Sequence, residues 1–507
     1  MASTGPSAGD RRKEGQSSEA GRVSTSKNAV YNIIGAAVPS ILVLVTVPLY
    51  LQLVGAERYG VLTLCWIILG YANFLDLGIG YAVVRGIAAT GDRKHDAADI
   101  FWTGLWTSAA AAVVAVIAVY VGSRLYFGSV SDPGDIIGSE VRDALPILAA
   151  SVPIALIAST VAAGLQGRER FLELNLIGTT TQTLVQLLPL VVAYLWTPQL
   201  TMLIAAALAG RLIGLVWLSL GSKRAIPLTS VRPPSRRIAR QLVTFGGWVV
   251  LATIANGILH SVDRLVIGGA IGAAAVAAYA IAYGLISRVY LIPHGLSAAL
   301  LPRYAAVDEE ERRRLIRSSI QAVAVTTTPI IVALLAIIEP FFNIWIGREL
   351  AAVAAPVGYV LAGGFWIYCV GHMASTMVQA TGRPDRVAKV VLAEVLPYCA
   401  ILFVGIWAFG VVGAAIAFTV RVAVDFGLQV RLAGIPPSVL KLLLLPGTLV
   451  VASVAVAIWL TDGWRYAAFA ALFLSSAVWA FLNMPDALRP YVDRLRAFLP
   501  ARARAGR

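Results

Sequence analysis

The run GVVGAAIAFTVRVAVDFGLQVRL at 410–432 is predominantly apolar, with its charges limited to Arg421 and Asp425 inside it and Arg431 at its close. At 1.5 Å of rise per residue, about 20 such residues cross the ~30 Å hydrocarbon core of a bilayer. Backbone groups in lipid find no water to bond, so a run of this kind must be helical. Comparable runs fall at 28–54, 60–88, 98–125, 144–166, 171–196, 199–220, 241–268, 273–302, 318–346, 353–380, 387–408, 439–461 and 464–484. Of 507 residues, 58% are apolar and only 13% charged, where a soluble domain carries roughly a quarter charged. The sequence therefore predicts an all-α, polytopic membrane protein of about fourteen transmembrane helices. Pro39, Pro293 and Pro329 fall inside runs and are candidate kink points.

The net charge of +14 does not imply nucleic acid. The basic residues form no patch interleaved with aromatics; they sit in short segments between apolar runs, as the positive-inside rule requires. With the N-terminus in the cytoplasm, five of the 41 Lys and Arg fall outside (Arg58, Arg124, Arg142, Arg348, Arg465) and four within helices, leaving 41 − 5 − 4 = 32 on the cytoplasmic side. Both termini are thus expected in the cytoplasm of an inner-membrane protein. Residues 1–27, polar and rich in Ser and Gly, read as a disordered tail. Residues 485–507 read as a basic cytoplasmic tail with amphipathic spacing. Cys65, Cys369 and Cys399 lie in apolar runs without metal-ligand spacing, and the four histidines form no site by spacing. The longest external loop, near 126–143, has no cluster of histidines or acidic residues. No catalytic residue, metal site or cofactor is expected, and an enzymatic role is not favoured.

The two halves resemble each other. LVGAERYG at 53–60 pairs with AIGAAAVA at 270–277, aligning Gly55 with Gly272. GIGYAVVR at 78–85 pairs with GLSAALLPR at 295–303, and AST at 158–160 with AST at 374–376, each AST followed by Gly-Arg. Trp196 and Arg211 correspond to Trp407 and Arg421. An even number of helices per repeat gives both copies the same orientation, so the repeat is parallel. The expected organisation is a six-helix lobe at 28–220, a Pro- and Arg-rich cytoplasmic linker at 221–240, a second six-helix lobe at 241–432, and an additional helix pair at 433–484 that either flanks the substrate path or packs outside.

An ionisable group at the centre of a span costs roughly 2.5–3.5 kcal/mol even on insertion scales, so each needs a partner or a wet cavity. Arg211, Arg288, Arg421, Asp76 and His294 are the primary cavity candidates; Asp425, His372 and Glu394 are secondary. Arg211 with Arg421, and Asp76 with His294, hold equivalent positions in the repeat and are expected to face one cavity between the lobes. Three arginines there suit an anionic phosphate or diphosphate group. Against this, Arg421 and Asp425 are four apart and could neutralise each other on one helix. Asp263-Arg264 reads as an anchoring pair near the outer interface, and Glu394, two turns from the cytoplasmic end, as a group able to reach water.

NAVYNIIGAAVPSILVLVTVPLYLQLVGAERYGVLTL at 28–64, followed by NFLDLGIGYAVVR, resembles the start of the polysaccharide flippases. These form the O-antigen and exopolysaccharide branch of the multidrug/oligosaccharidyl-lipid/polysaccharide exporter superfamily. SVDRLVIGGAIG with AAYAIAYGL is similar to the matching region in the second half. The resemblance implies a flippase that moves an undecaprenyl-diphosphate-linked oligosaccharide to the outer leaflet by alternating access of two lobes. It further implies membrane lipids around it, H+ or Na+ as coupling ion, and a polysaccharide polymerase and chain-length regulator as partners. The alternatives are a multidrug-extrusion-type cation antiporter, whose cationic substrates an arginine-lined cavity disfavours, a membrane-embedded glycan polymerase or ligase, and a non-transporting scaffold of a glycan assembly complex.

Overall fold

A computed structural model describes residues 42–70, 78–91, 94–130, 136–226, 230–460 and 462–485. The tail at 1–27, Pro39, Asp76 and the tail from 486 onward lie outside the described residues. Among the described residues every regular element is a helix. They are α1 (Leu42–Gly70), α2 (Ile79–Ala89), α3 (Lys94–Val130), α4 (Ile136–Gln166), α5 (Phe171–Leu195), α6 (Leu200–Ala225), α7 (Arg236–Ala270) and α8 (Ala273–Ile286). After a 3-10 turn at Ser287–Tyr290 follow α9 (Leu291–Ala306), α10 (Glu309–Trp345), α11 (Arg348–Ala380), α12 (Pro384–Ala433), α13 (Pro437–Lys441), α14 (Leu444–Trp459) and α15 (Asp462–Leu482). Among the described residues, ten helical segments carry an apolar stretch long enough to cross a membrane, and α2 and α14 are shorter apolar helices.

Two of the long helices are interrupted. Gly55 inside α1 has φ +80°, and Gly410 inside α12 has φ 58° and ψ −139°. Both lie in the region that a Cβ makes costly. A straight α12 of 50 residues would be about 75 Å long, far beyond a bilayer. Gly410 instead turns the chain back, and Gly405 and Gly413 then pack backbone to backbone so closely that a Cβ on either would overlap the other's carbonyl oxygen. Gly272, the sequence partner of Gly55, also has positive φ, at +121°. The 3-10 turn at Ser287–Tyr290 ends three residues before Pro293, which lacks the N–H that a regular helix would direct back to Val289. Pro329 lies within α10 without ending it.

The chain divides into two compact units, Met1–Val54 with Ile68–Val250 and Gly55–Ile67 with Leu251–Arg507. In the first, α4 packs on α3 and α6, α5 on α6, and α2 on α3 and α4. Ile79, Val83, Ile87, Phe101, Val161 and Ile226 form its apolar core. Two polar contacts tie its helices together: Ser108 and Thr160 share a 2.6 Å hydrogen bond between α3 and α4, and Tyr50 donates to the Gln186 carbonyl at 2.6 Å. The segment joining α6 to α7 is held on α3. Arg232 donates to Asp99 at 2.7 Å and to the His95 carbonyl at 3.2 Å, while Trp106 donates to the Arg232 carbonyl at 3.1 Å.

In the second unit α11 is the central helix, packed on α8, α9, α10, α12 and α14. The extra C-terminal helices lie against it and its neighbour: α14 packs on α10 and α11, and α15 on α10. Arg465 of α15 pairs with Glu339 of α10, whose carboxylate also accepts from Tyr359 of α11 at 2.8 Å. Within the same unit, Gly60 packs directly on the backbone of Ala273.

Candidate functional site

The second unit has a cavity of ≈ 370 Å³ with an unusually polar wall. Its lining comes from α7 (Leu259, His260), the 3-10 turn (Tyr290), α11 (Tyr368, His372, Ser375, Gln379) and both arms of α12 (Val387, Ala388, Val391, Glu394, Arg421, Asp425, Gln429). The reversal at Gly410 makes this possible, since Glu394 lies on one arm of α12 and Arg421 on the other. Their charges face each other at 3.5 Å, with side chains only 7% and 6% exposed. That is an ion-pair distance, too long for a well-formed hydrogen bond. Accordingly both Glu394 oxygens, and Nε and Nη2 of Arg421, have no hydrogen-bond partner among the described residues. Aromatic rings flank the guanidinium, Tyr398 at 5.3 Å and Phe418 at 5.4 Å, so the cation is partly held by ring faces. Asp425 accepts from Gln429 at 3.1 Å and stands close enough to Glu394 to act on it electrostatically. The i,i+4 neutralisation of Arg421 by Asp425 is therefore replaced by a pairing across the helix reversal. Glu394 is 6% exposed and lies on the wall of the cavity.

Asp263 and Arg264 pack against another helix of the second unit. Asp263 is 1% exposed, accepts from the Tyr279 hydroxyl at 2.7 Å and takes the backbone N–H of Arg264 at 2.8 Å. Arg264 lies 3.9 Å over the Tyr283 ring. One turn back along α7, His260 meets the Tyr283 hydroxyl at 3.5 Å and the edge of Tyr368. Tyr290 packs on Tyr368 with ring centroids 4.9 Å apart and shares a 3.2 Å hydrogen bond with His372. His372 in turn bonds Ser297 at 3.1 Å and lies 6.2 Å from the His294 ring. Three of the chain's four histidines, scattered by spacing, thus gather in one unit. Their only sequence signal is that all three fall inside apolar runs, where a polar group needs a reason to stay.

Of the sequence candidates, Arg421, Asp425, His372 and Glu394 line this one cavity. His294 is next to it, its ring tilted against that of Tyr290 with centroids 5.7 Å apart. Arg288 projects from the 3-10 turn as an exposed side chain, and Arg211 lies half-buried on α6 of the first unit, where Gly210 and Gly214 pack tightly on α5. The first unit holds a separate cavity of ≈ 480 Å³ where α2, α3 and α7 meet, lined by Arg85, Asp96, Asp99 and Gln241 with apolar neighbours. Arg85, Asp99, His260, Tyr290, Tyr368 and Gln429 were not singled out by the sequence. Most were unreadable because they sit at span ends or because Tyr and Gln in a span do not stand out by charge.

A multi-pass helical protein with charged cavities walled inside its helical units has the build of a membrane transporter. The chain belongs to the polysaccharide biosynthesis protein family, whose model matches residues 25–307; the MatE model matches residues 249–405. It is 24% identical over 409 residues to the "Putative O-antigen transporter" of Shigella flexneri, covering 80% of this chain and 96% of that one. It is also 24% identical over 227 residues to the "Probable low-salt glycan biosynthesis flippase Agl15" of Haloferax volcanii, covering 44% of this chain and 47% of that one. In fold it matches the lipid II flippase MurJ in an inward closed conformation, with TM-score 0.70, 14% identity, and 91% and 99% of the two chains covered. These relatives are transporters and flippases, not enzymes.

Proposed function

We propose that this protein is a flippase that carries an undecaprenyl-diphosphate-linked oligosaccharide across the cytoplasmic membrane for surface polysaccharide synthesis. The observation that carries the reading is the match running along 96% of the O-antigen transporter relative. It is supported by family membership and by the 32-to-5 bias of basic residues, 41 − 5 − 4 = 32, which puts both termini in the cytoplasm.

Fourteen spans fit the helices. To the ten long apolar segments α7 and α14 are added, and the glycine breaks in α1 and α12 each divide one segment in two, with α2 continuing the second span. Twelve of these spans form the two parallel six-helix lobes at 28–220 and 241–432, and rocking of one lobe against the other alternates access to the substrate path. Arg211, half-buried on α6, and Arg288, exposed on the 3-10 turn, pair with the diphosphate, while Arg421 faces Glu394 at 3.5 Å. The lipid tail stays in the bilayer while the head group passes. A polymerase and a chain-length regulator would receive the product outside.

A second reading is a cation antiporter of the multidrug type. It is favoured by the MatE match and by the buried carboxylates Asp263 and Glu394. Deleting the gene in its own host separates the two. A flippase deletion loses surface polysaccharide and accumulates the lipid-linked intermediate, whereas loss of an antiporter changes only drug sensitivity.

A further inference from the structure

The cavity of the second unit has more hydrogen-bonding capacity in its wall than the wall itself uses. Glu394 and Arg421 are each 6% exposed and Gln429 is 1% exposed, and all three line it. Among the described residues, both Glu394 oxygens, Nε and Nη2 of Arg421, and Oε1 of Gln429 have no hydrogen-bond partner. The Gln429 amide nitrogen already donates to Asp425 at 3.1 Å, which leaves its oxygen to accept. Buried donors and acceptors are as a rule paired, so open groups of both kinds on one cavity wall point to a ligand that can donate and accept.

We infer that this cavity binds one uncharged pyranose ring, a single sugar of the head group, apart from the arginines that pair with the diphosphate. Such a ring answers each feature of the wall. Its hydroxyls donate to Glu394 and Gln429 and accept from Arg421. Its C–H face, weakly positive, packs on the negative ring faces of tyrosine, and Tyr290 and Tyr368 line the same cavity with centroids 4.9 Å apart. At ≈ 370 Å³ the space falls in the range of small-ligand sites, roughly 300–1,000 Å³. An acidic sugar is disfavoured, because the lining already sets the carboxyl groups of Glu394 and Asp425 against the single guanidinium of Arg421.

The wall also shows where a sugar would enter. Gln379 stands next to the end of α11 at Ala380, Ala388 near the start of α12 at Pro384, and Gln429 near its close at Ala433. Gln379 is exposed, so the cavity runs from this end of the helices inward to the buried Glu394. The topology proposed above puts that end on the cytoplasmic side, where the head group is loaded. That the sugar belongs to the head group rests on the flippase reading; the sugar site itself does not.

The test is saturation-transfer NMR on the purified full chain in lipid nanodiscs. The probes are the methyl glycosides of glucose, galactose, mannose and N-acetylglucosamine, with glucuronate beside them. At least one neutral glycoside is expected to receive saturation on its ring protons, and glucuronate none. Gln429→Leu removes an acceptor and Tyr368→Leu a ring, and each should weaken that binding roughly two- to tenfold while keeping its helix content. No transfer to any glycoside means the cavity takes water only and overturns the site. Transfer unchanged in both variants, or matched by glucuronate, overturns it too. Where one variant does not fold, the other decides.

Export is read separately, in a deletion host carrying each variant. Reduced surface polysaccharide in the folded variant that binds the glycoside less well is the expected result. Normal export by that variant overturns the head-group role. A wild-type gene that never restores export overturns the flippase reading and leaves the NMR result standing.

Discussion

Glu394 and Arg421 are 27 residues apart in sequence, yet they oppose each other at 3.5 Å because Gly410 folds α12 back on itself. Removing one member leaves the other buried and unpaired. Arg421→Ala is therefore expected to lose about 3–5 kcal/mol of stability, read as a lower thermal midpoint in detergent. Arg421→Ala with Glu394→Ala together should lose less than the sum of the single changes, which a double-mutant cycle measures.

Gly405 and Gly413 leave no room for a side chain where the two arms meet. Gly413→Leu should prevent the close approach and lower the amount of folded protein in the membrane. Gly410→Ala should cost about 1–3 kcal/mol through its positive-φ backbone alone, without steric overlap, since nothing lies within 4 Å of a Cβ there. Quantified membrane levels of the two variants separate these effects.

Arg232 fastens the segment between α6 and α7 to α3 through Asp99 and the His95 carbonyl. The ion pair is partly exposed, at 24% and 46%, so Arg232→Ala should change stability by less than about 1 kcal/mol. The segment itself should become more open to cleavage. Limited proteolysis at 221–240, compared with wild type, checks this.

Arg211 is half-buried in the first unit, and among the described residues no hydrogen bond or ion pair holds its side chain. Arg211→Ala should leave thermal stability near wild type while reducing export and raising the lipid-linked intermediate. Arg211→Lys, which keeps the charge but not the fork of donors, should recover only part of the activity. Surface polysaccharide and intermediate levels in a deletion host are the readout.

Much of the scaffold was legible in the chain because apolar length and lipid-facing composition leave helices as the only solution. Gly55 and Gly272, paired with each other in the sequence, both adopt positive φ. The partners of the buried charges were not. Spacing put Arg421 beside Asp425 at i,i+4, but residues one turn apart compete with whatever the neighbouring arm presents, and Glu394 faces Arg421 from there. Glycine 410 gave no sign that it would reverse the chain, since glycine is common within membrane helices. The gathering of His260, His294 and His372 depends on how α7, α9 and α11 pack, which no local pattern encodes.

The glycine reversal also bears on how the chain enters the membrane during synthesis. Glu394 and Arg421 lie on the two arms of one tight hairpin. If the arms insert together, each charge meets hydrocarbon already beside its opposite. Two helices inserted one after the other would each bear the penalty of roughly 2.5–3.5 kcal/mol for an isolated central charge. The contact of Gly405 with Gly413 is thus a biogenesis device as much as a packing one, letting a polar cavity be assembled inside lipid without exposing its charges singly on the way.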